Sequence, residues 1–362
     1  MTYFFYETSP NVETDSRFAN IVLPVLVIAY NRPDVSRCLN SIIKAKKIIV
    51  GSSKNSISVP IYVSQDGQDS KTFEVLNNFA DRITYKSHPI SNHPKNIKYS
   101  RGYYRLSQHY RDAIKWVFDQ NTSYTSMIII EDDLEVSEDI FSYFNNTMDI
   151  LQKDASVFCV SAFNDNGKFV DPKDTSKIYR SDFFPGLGWM FLKSFWNEVK
   201  DNWPDGFWDE YIRESNVRKD RSCLRPEISR TTTFGSDGTS GGQFFSDHLK
   251  EIKTVYSRVD FSKIDLGYLL GAENYQKNLL ETINAPNVKQ ISTIDDVTEA
   301  GVYRIRCQTR NEFLEIADSF GIMRDFKNGI PRTAFQGVVT FFWKESRIFI
   351  VLHPWTGYDK SW

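Results

Sequence analysis

The chain has 362 residues, of which 41% are hydrophobic and 25% charged, and its formal net charge is −2. That composition suits one large folded domain plus a small one, and the near-neutral balance argues against nucleic acid as a partner. No apolar run reaches the roughly 18 residues that a membrane-crossing helix needs, and the opening Met1-Thr2-Tyr3-Phe4-Phe5-Tyr6 lacks the length and basic flank of a signal peptide.

Residues 1–20 read as a polar periphery. Ile21 to Tyr30 then reads as a strand, ending in Asn31-Arg32-Pro33, and Asp34 caps a predicted helix through Cys38, Leu39, Ile42 and Ile43. The turn between them has no Gly-rich fingerprint, which disfavours a dinucleotide site of that type. Pro60 to Ser64 is a second strand ending in Gln65-Asp66-Gly67, and Thr84-Tyr85-Lys86 a third. Residues 87–101 read as loop. Leu106, Tyr110, Ala113, Ile114 and Val117 recur at helical spacing, predicting a helix over 103–120 with His109 beside the apolar stripe.

The stretch Met127-Ile128-Ile129-Ile130-Glu131-Asp132-Asp133 follows. Its apolar part has no polar alternation, as expected of a strand covered on both faces. Open α/β sheets bind ligands beyond the carboxyl ends of their strands, where these three acids fall. Clustered carboxylates repel one another unless a cation joins them, and a divalent ion carrying a phosphate group fits. A helix through Ile140, Phe141, Phe144, Met148 and Leu151 and a strand over Val157–Ala162 complete an alternating α/β pattern.

From Phe183 the texture turns Gly-rich and aromatic, with helices predicted over Phe191–Val199 and from Trp203 to about Arg213. Residues 235–242, Gly-Ser-Asp-Gly-Thr-Ser-Gly-Gly, have the composition of a mobile loop, read either as one that closes over a ligand or as a plain linker. About 249–272 reads as a connector. Beyond it come a strand over Tyr303–Cys307, a helix over Glu312–Phe320 ended by Gly321, and a β-hairpin from Val338 to Leu352. The expected organisation is a catalytic domain over 1–248, a linker over 249–271 and a small α+β domain over 272–362. The four cysteines, at 38, 159, 223 and 307, are too few for a disulfide scaffold and lack metal-type spacing.

These blocks, taken together, resemble the N-acetylglucosaminyltransferase I family of animals and plants. The resemblance is carried by Val27-Ile28-Ala29 before Asn31-Arg32, by Ser64-Gln65-Asp66, His109-Tyr110-Arg111, Glu131-Asp132-Asp133-Leu134-Glu135-Val136 and Ser161-Ala162-Phe163-Asn164-Asp165-Asn166-Gly167. It continues through Phe184-Pro185-Gly186-Leu187-Gly188-Trp189, Phe207-Trp208-Asp209, Arg225-Pro226-Glu227-Ile228-Ser229-Arg230-Thr231, Gly242-Gln243-Phe244-Phe245 and the tail Gly357 to Trp362. It implies a GT-A fold, UDP-GlcNAc as donor, Mn2+ as cofactor, and inverting β1,2 transfer to the α1,3-arm mannose of an oligomannose N-glycan in the Golgi lumen. The O-mannose β1,2-GlcNAc-transferase shares several blocks but places an apolar residue between its acids. A glycan-binding protein without catalysis is the other reading, disfavoured because Asp133 and Asp209 are both present.

The resemblance further implies a role for each matching residue. Asp133 would ligate the metal, Asp132 would meet the ribose and Glu131 the transferred sugar. Asp66 and His109 match positions on uracil, and Arg32 one near the nucleotide. Ser240 matches a phosphate-contacting serine, although the histidine usual after it is Gly241 here. Leu187 and Trp208 would border the GlcNAc, and Asp209 would be the base. Cys159 and Cys223 match a bridged pair, while a further bridge of the family falls at Tyr30 and Gly67 and is absent. Taken alone, Asp66 reads as a turn residue, His109 as a helix-surface histidine and Asp209 as a helix N-terminal acid.

Overall fold

Strands form where the chain carries short β-branched runs, and helices where apolar residues recur every three or four positions. The computed structural model describes residues 21–52, 56–92, 94, 99–239, 241–242, 244–255 and 257–358. In chain order its main strands are β1 (Val25–Ala29), β2 (Ile61–Asp66), β3 (Thr84–His88), β4 (Ser126–Glu131), β5 (Val157–Ser161), β6 (Ile178–Ser181), β7 (Trp189–Leu192), β8 (Ser222–Pro226), β9 (Val288–Ile291), β10 (Val302–Cys307), β11 (Val338–Trp343) and β12 (Ser346–Leu352). The main helices are α1 (Val35–Ser52), α2 (Ser70–Asn77), α3 (Arg101–Gln120), α4 (Ile140–Lys153), α5 (Lys193–Val199), α6 (Trp208–Arg213), α7 (Ala272–Ile283) and α8 (Arg310–Phe320).

Two compact units share these elements. One comprises the described residues of Met1–Phe141, Leu187–Trp208 and Thr233–Gly242; the other those of Ser142–Gly186, Asp209–Thr232 and Gln243–Trp362. In the first, β3, β2, β1 and β4 lie side by side, all parallel, and β7 continues the sheet antiparallel to β4. β1 is buried at every residue, as expected for a strand covered on both faces. Parallel neighbours need crossovers, which α1, α2 and α3 provide. This is the α/β, Rossmann-like architecture that the sequence predicts.

In the second unit β8 pairs parallel with β5 and antiparallel with β6. Cys223 lies opposite Cys159 in that register, and the two are joined by a disulfide across a separation of 64 residues. A second sheet runs β9, β10, β12, β11, with the β11–β12 hairpin as predicted. Its core includes Tyr303, Ile305, Phe313, Phe320, Phe341 and Ile350.

Some predicted elements move. The helix expected from Phe191 begins at Lys193, because Phe191 and Leu192 belong to β7. The helix expected from Trp203 begins at Trp208. The expected connector over 249–272 contains three single turns of 3-10 helix, at Leu249–Glu251, Phe261–Lys263 and Gly267–Leu269. Among the described residues no helix is long and apolar enough to cross a membrane.

Candidate active site

β1 and β4 deliver the first group of residues. Ile28 of β1 lies opposite Glu131 of β4, so both chains leave the sheet together at their carboxyl ends. Asp132 and Asp133 therefore emerge beside Tyr30 and Arg32. The Tyr30 backbone N–H donates to Asp132 Oδ2 at 3.1 Å, and Arg32 Nε donates to Asp132 Oδ1 at 3.2 Å. Arg32 Nη2 lies 3.8 Å from Asp133 Oδ2 and donates to the Asp237 carbonyl at 2.7 Å. The Phe234 N–H donates to the Asp133 carbonyl at 2.9 Å. Gly235 lies so close to the Asp133 carboxylate that a Cβ there would collide with it.

Burial, reinforced by the neighbouring Asp133 charge, pushes the Asp132 carboxyl up to about 6, with the Tyr30 N–H and Arg32 opposing. Burial raises Asp133 as well, against the pull of Arg32. Asp133 Oδ1 is buried and, among the described residues, has no hydrogen-bond partner. An orphaned buried carboxylate oxygen is costly unless something positive completes it, so this oxygen fits a divalent cation. No cluster of three or more metal-type side chains forms among the described residues.

The third acid of the cluster, Glu131, accepts a short hydrogen bond from the Tyr110 hydroxyl of α3. Tyr110 in turn stacks on Trp208, with ring centroids 4.2 Å apart. Trp208 is further stacked with Trp189 and Trp203 at 5.9 and 6.3 Å. Leu187 stands between Gly186 and Gly188 at φ +47°, a left-handed conformation that a leucine adopts only when its surroundings hold it there.

β2 and β3 deliver a second group. Asp66 ends β2 opposite His88 of β3, and the N–H of Gly67 donates to the His88 carbonyl at 2.8 Å. His109 is buried, not on the helix surface, with Nε2 2.7 Å from Ser64 Oγ. Its ring lies 5.8 Å from that of His88. Burial pushes Asp66 up to about 6, partly offset by the Arg105 charge. Burial likewise holds His88 down to about 4 and His109 down to about 3, the latter helped by the charge of His88. The group is a buried, polar surface at the carboxyl end of a parallel strand, with Asp66 its one acidic member.

Arg32, Asp66, His109, Glu131, Asp132, Asp133, Leu187 and Trp208 thus all fall in the first unit, and Asp209 falls in the second. Ser240 lies outside the described residues. Asp209, in the first turn of α6, has a 37% exposed side chain and accepts from Arg213 Nη1 at 2.6 Å. Sequence reasoning missed His88, assigned to loop. Extending the strand at Thr84–Lys86 by two residues would have brought it level with Asp66. It also took Tyr110 for a packing residue, since its hydroxyl's role at Glu131 leaves no trace in the helical period.

Residues 5–362 match the GNT-I family. The chain is 34% identical over 347 residues to an alpha-1,3-mannosyl-glycoprotein 2-beta-N-acetylglucosaminyltransferase of Arabidopsis thaliana, covering 92% of this chain and 74% of that protein. Among solved structures, TarS 1-349 of S. aureus gives a TM-score of 0.38 at 11% identity, over 58% of this chain and 59% of that one. Glucosyl-3-phosphoglycerate synthase of Mycobacterium tuberculosis gives 0.36 at 10% identity, over 61% and 73%. With its whole described length matched and one third of its residues shared with a full relative, the chain belongs to the GNT-I family.

Proposed function

We propose that the chain transfers GlcNAc from UDP-GlcNAc, with inversion, in β1,2 linkage to the α1,3-arm mannose of an oligomannose N-glycan. That it is a glycosyltransferase, a UDP-GlcNAc N-acetylglucosaminyltransferase, follows from its family and its relative. The observation that supports a metal-assisted donor site is the orphaned Asp133 oxygen beside Asp132 and Arg32, at the mouth of a parallel sheet; the linkage and acceptor rest on the family resemblance. Asp133 would hold a divalent ion, Mn2+ by family resemblance, which when bound offsets the charge of the leaving diphosphate. Asp132 would take the ribose, Asp66 and His109 the uracil, and Arg32 the nucleotide. Ser240 would contact phosphate. Glu131, fixed by Tyr110, would hold the sugar between Leu187 and Trp208. The proposed site residues all fall within 1–248, the stretch read from the sequence as the catalytic domain.

In the transfer itself, the acceptor oxygen bonds to the anomeric carbon. The bond from that carbon to the UDP oxygen breaks, its electron pair leaves with UDP, and the hydroxyl proton passes to Asp209. One displacement inverts the anomeric centre and needs no nucleophile from the protein. The proposed compartment is the Golgi lumen, whose oxidising conditions suit the Cys159–Cys223 bridge.

Incubation with UDP-GlcNAc and Mn2+ against an oligomannose N-glycan and an O-mannosyl peptide, separately, tests the reading. Transfer to the N-glycan is expected, lost in Asp133→Ala and in EDTA, and lowered by about 10²-fold or more in Asp209→Asn. Full activity in excess EDTA would remove the metal from the proposal, and transfer to the O-mannosyl peptide alone would replace the acceptor.

A further inference from the structure

We propose that Arg213 is a positioning residue for the proton transfer. It grips one oxygen of the Asp209 carboxylate and leaves the other to take the acceptor's proton. The inference rests on the reading of Asp209 as the base.

α6 has only six residues, too few to be stable by itself or to fix the side chains on it. What fixes Arg213 lies outside the helix. Its side chain is only 7% exposed, its Nε donates to the Phe184 carbonyl at 3.1 Å, and its guanidinium lies 4.9 Å from the ring centroid of Phe183. Both phenylalanines are fully buried. The guanidinium is therefore set by the core, and its remaining fork points back along α6. Nη1 donates to Asp209 Oδ2 at 2.6 Å and to Glu210 Oε1 at 3.3 Å. Asp209, one helical turn before Arg213, is on the face that such a fork reaches.

The two neighbouring acids are held differently. Glu210 Oε1 is shared by Arg213 and by Lys327 Nζ, the latter at 2.8 Å, and the Glu210 carbonyl accepts from Asn328 Nδ2 at 3.4 Å. Two cations thus share that one oxygen of Glu210. Asp209 is bonded through Oδ2 only, and among the described residues Oδ1 accepts no hydrogen bond. Glu210 Oε2 is likewise unbonded among the described residues, so what sets Asp209 apart is that Arg213 alone holds it. An ammonium could supply the charge but not the planar fork that joins Phe184 and Asp209 at once.

The test uses the full chain as the parent, Asp209→Asn, Arg213→Gln, Arg213→Lys and the double variant Asp209→Asn/Arg213→Gln. It reads kcat and KM for both substrates, UDP binding by calorimetry, and thermal unfolding. Misplacing the carboxylate should lower kcat by roughly tenfold or more in Arg213→Gln and by less in Arg213→Lys, with donor KM and UDP affinity unchanged. In the double variant the Arg213 change should cost nothing beyond Asp209→Asn, since the two act as one unit. A parent-like kcat in Arg213→Gln, or losses that multiply in the double variant, overturns the positioning role. If Arg213→Gln fails to fold, a parent-like kcat in Arg213→Lys overturns it instead. A parent-like Asp209→Asn overturns the base itself, which is a separate result.

Discussion

Burial raises the Asp66 carboxyl from 3.8 to about 6 in the folded chain. Between those values the folded chain binds more protons than the unfolded one, so stability falls as pH rises through that window, and the full cost persists above it. Asp66→Asn should therefore melt at a higher temperature than the parent at pH 8, with the difference shrinking to nothing near pH 4. The same substitution should weaken UDP binding, because the position is read as a uracil contact. Melting curves at several pH values and calorimetry with UDP check both halves, and a difference that is flat with pH would contradict the burial argument. Residues of this kind were hard to weigh from the sequence. Asp66 and His109 each had an ordinary explanation as a turn residue or a helix-surface histidine. What distinguishes them is their burial beside His88 and Ser64, a product of strand register that local composition does not carry.

The segment from Thr233 lies against the acidic cluster through the Phe234 N–H, the Arg32 bond to the Asp237 carbonyl and the close approach of Gly235 to Asp133. Gly235→Ala should push the Asp133 carboxylate aside. The expected result is loss of metal-dependent UDP binding with little change in melting temperature, and unchanged UDP affinity would show that the carboxylate has room to move. At this scale the sequence was legible where one face or both are apolar. β4, α3, α8 and the β11–β12 hairpin stand where periodicity puts them, give or take two residues. It was illegible where strands carry buried charge. β6 holds Arg180 and β8 holds Arg225, both fully buried, so neither segment shows an apolar run. Arg180 pairs with Asp154 and donates to the Leu269 carbonyl at 2.8 Å, and Arg225 donates to the Thr340 carbonyl at 2.8 Å. Such partners are distant in sequence, which is why the pattern hides them. β7 was lost for another reason: Gly186-Leu187-Gly188 punctuates its start, and Phe191, Phe195 and Val199 mimic a helical period across its end.

Across the whole chain, the Cys159–Cys223 bridge closes a span of 64 residues between two paired strands. Replacing both with serine should lower stability by roughly 4 kcal/mol, the chain-entropy value for a loop of that length. Chemical unfolding of the variant measures this, and mapping of non-reduced peptides should find Cys38 and Cys307, both buried, as the free thiols. The path of the chain has a consequence for its synthesis. β4 ends at Glu131, yet its antiparallel neighbour β7 is finished only at Leu192. At ribosomal rates of 5–20 residues per second, the intervening sixty or so residues take roughly 3–12 s to emerge. Throughout that interval the Met127–Ile130 run has an unpaired edge, and a β-branched, uncharged edge is what nascent chains use to stick to one another. Yield in a heterologous host should therefore respond to chaperones that shield growing chains, and slow translation between residues 131 and 192 should favour inclusion bodies.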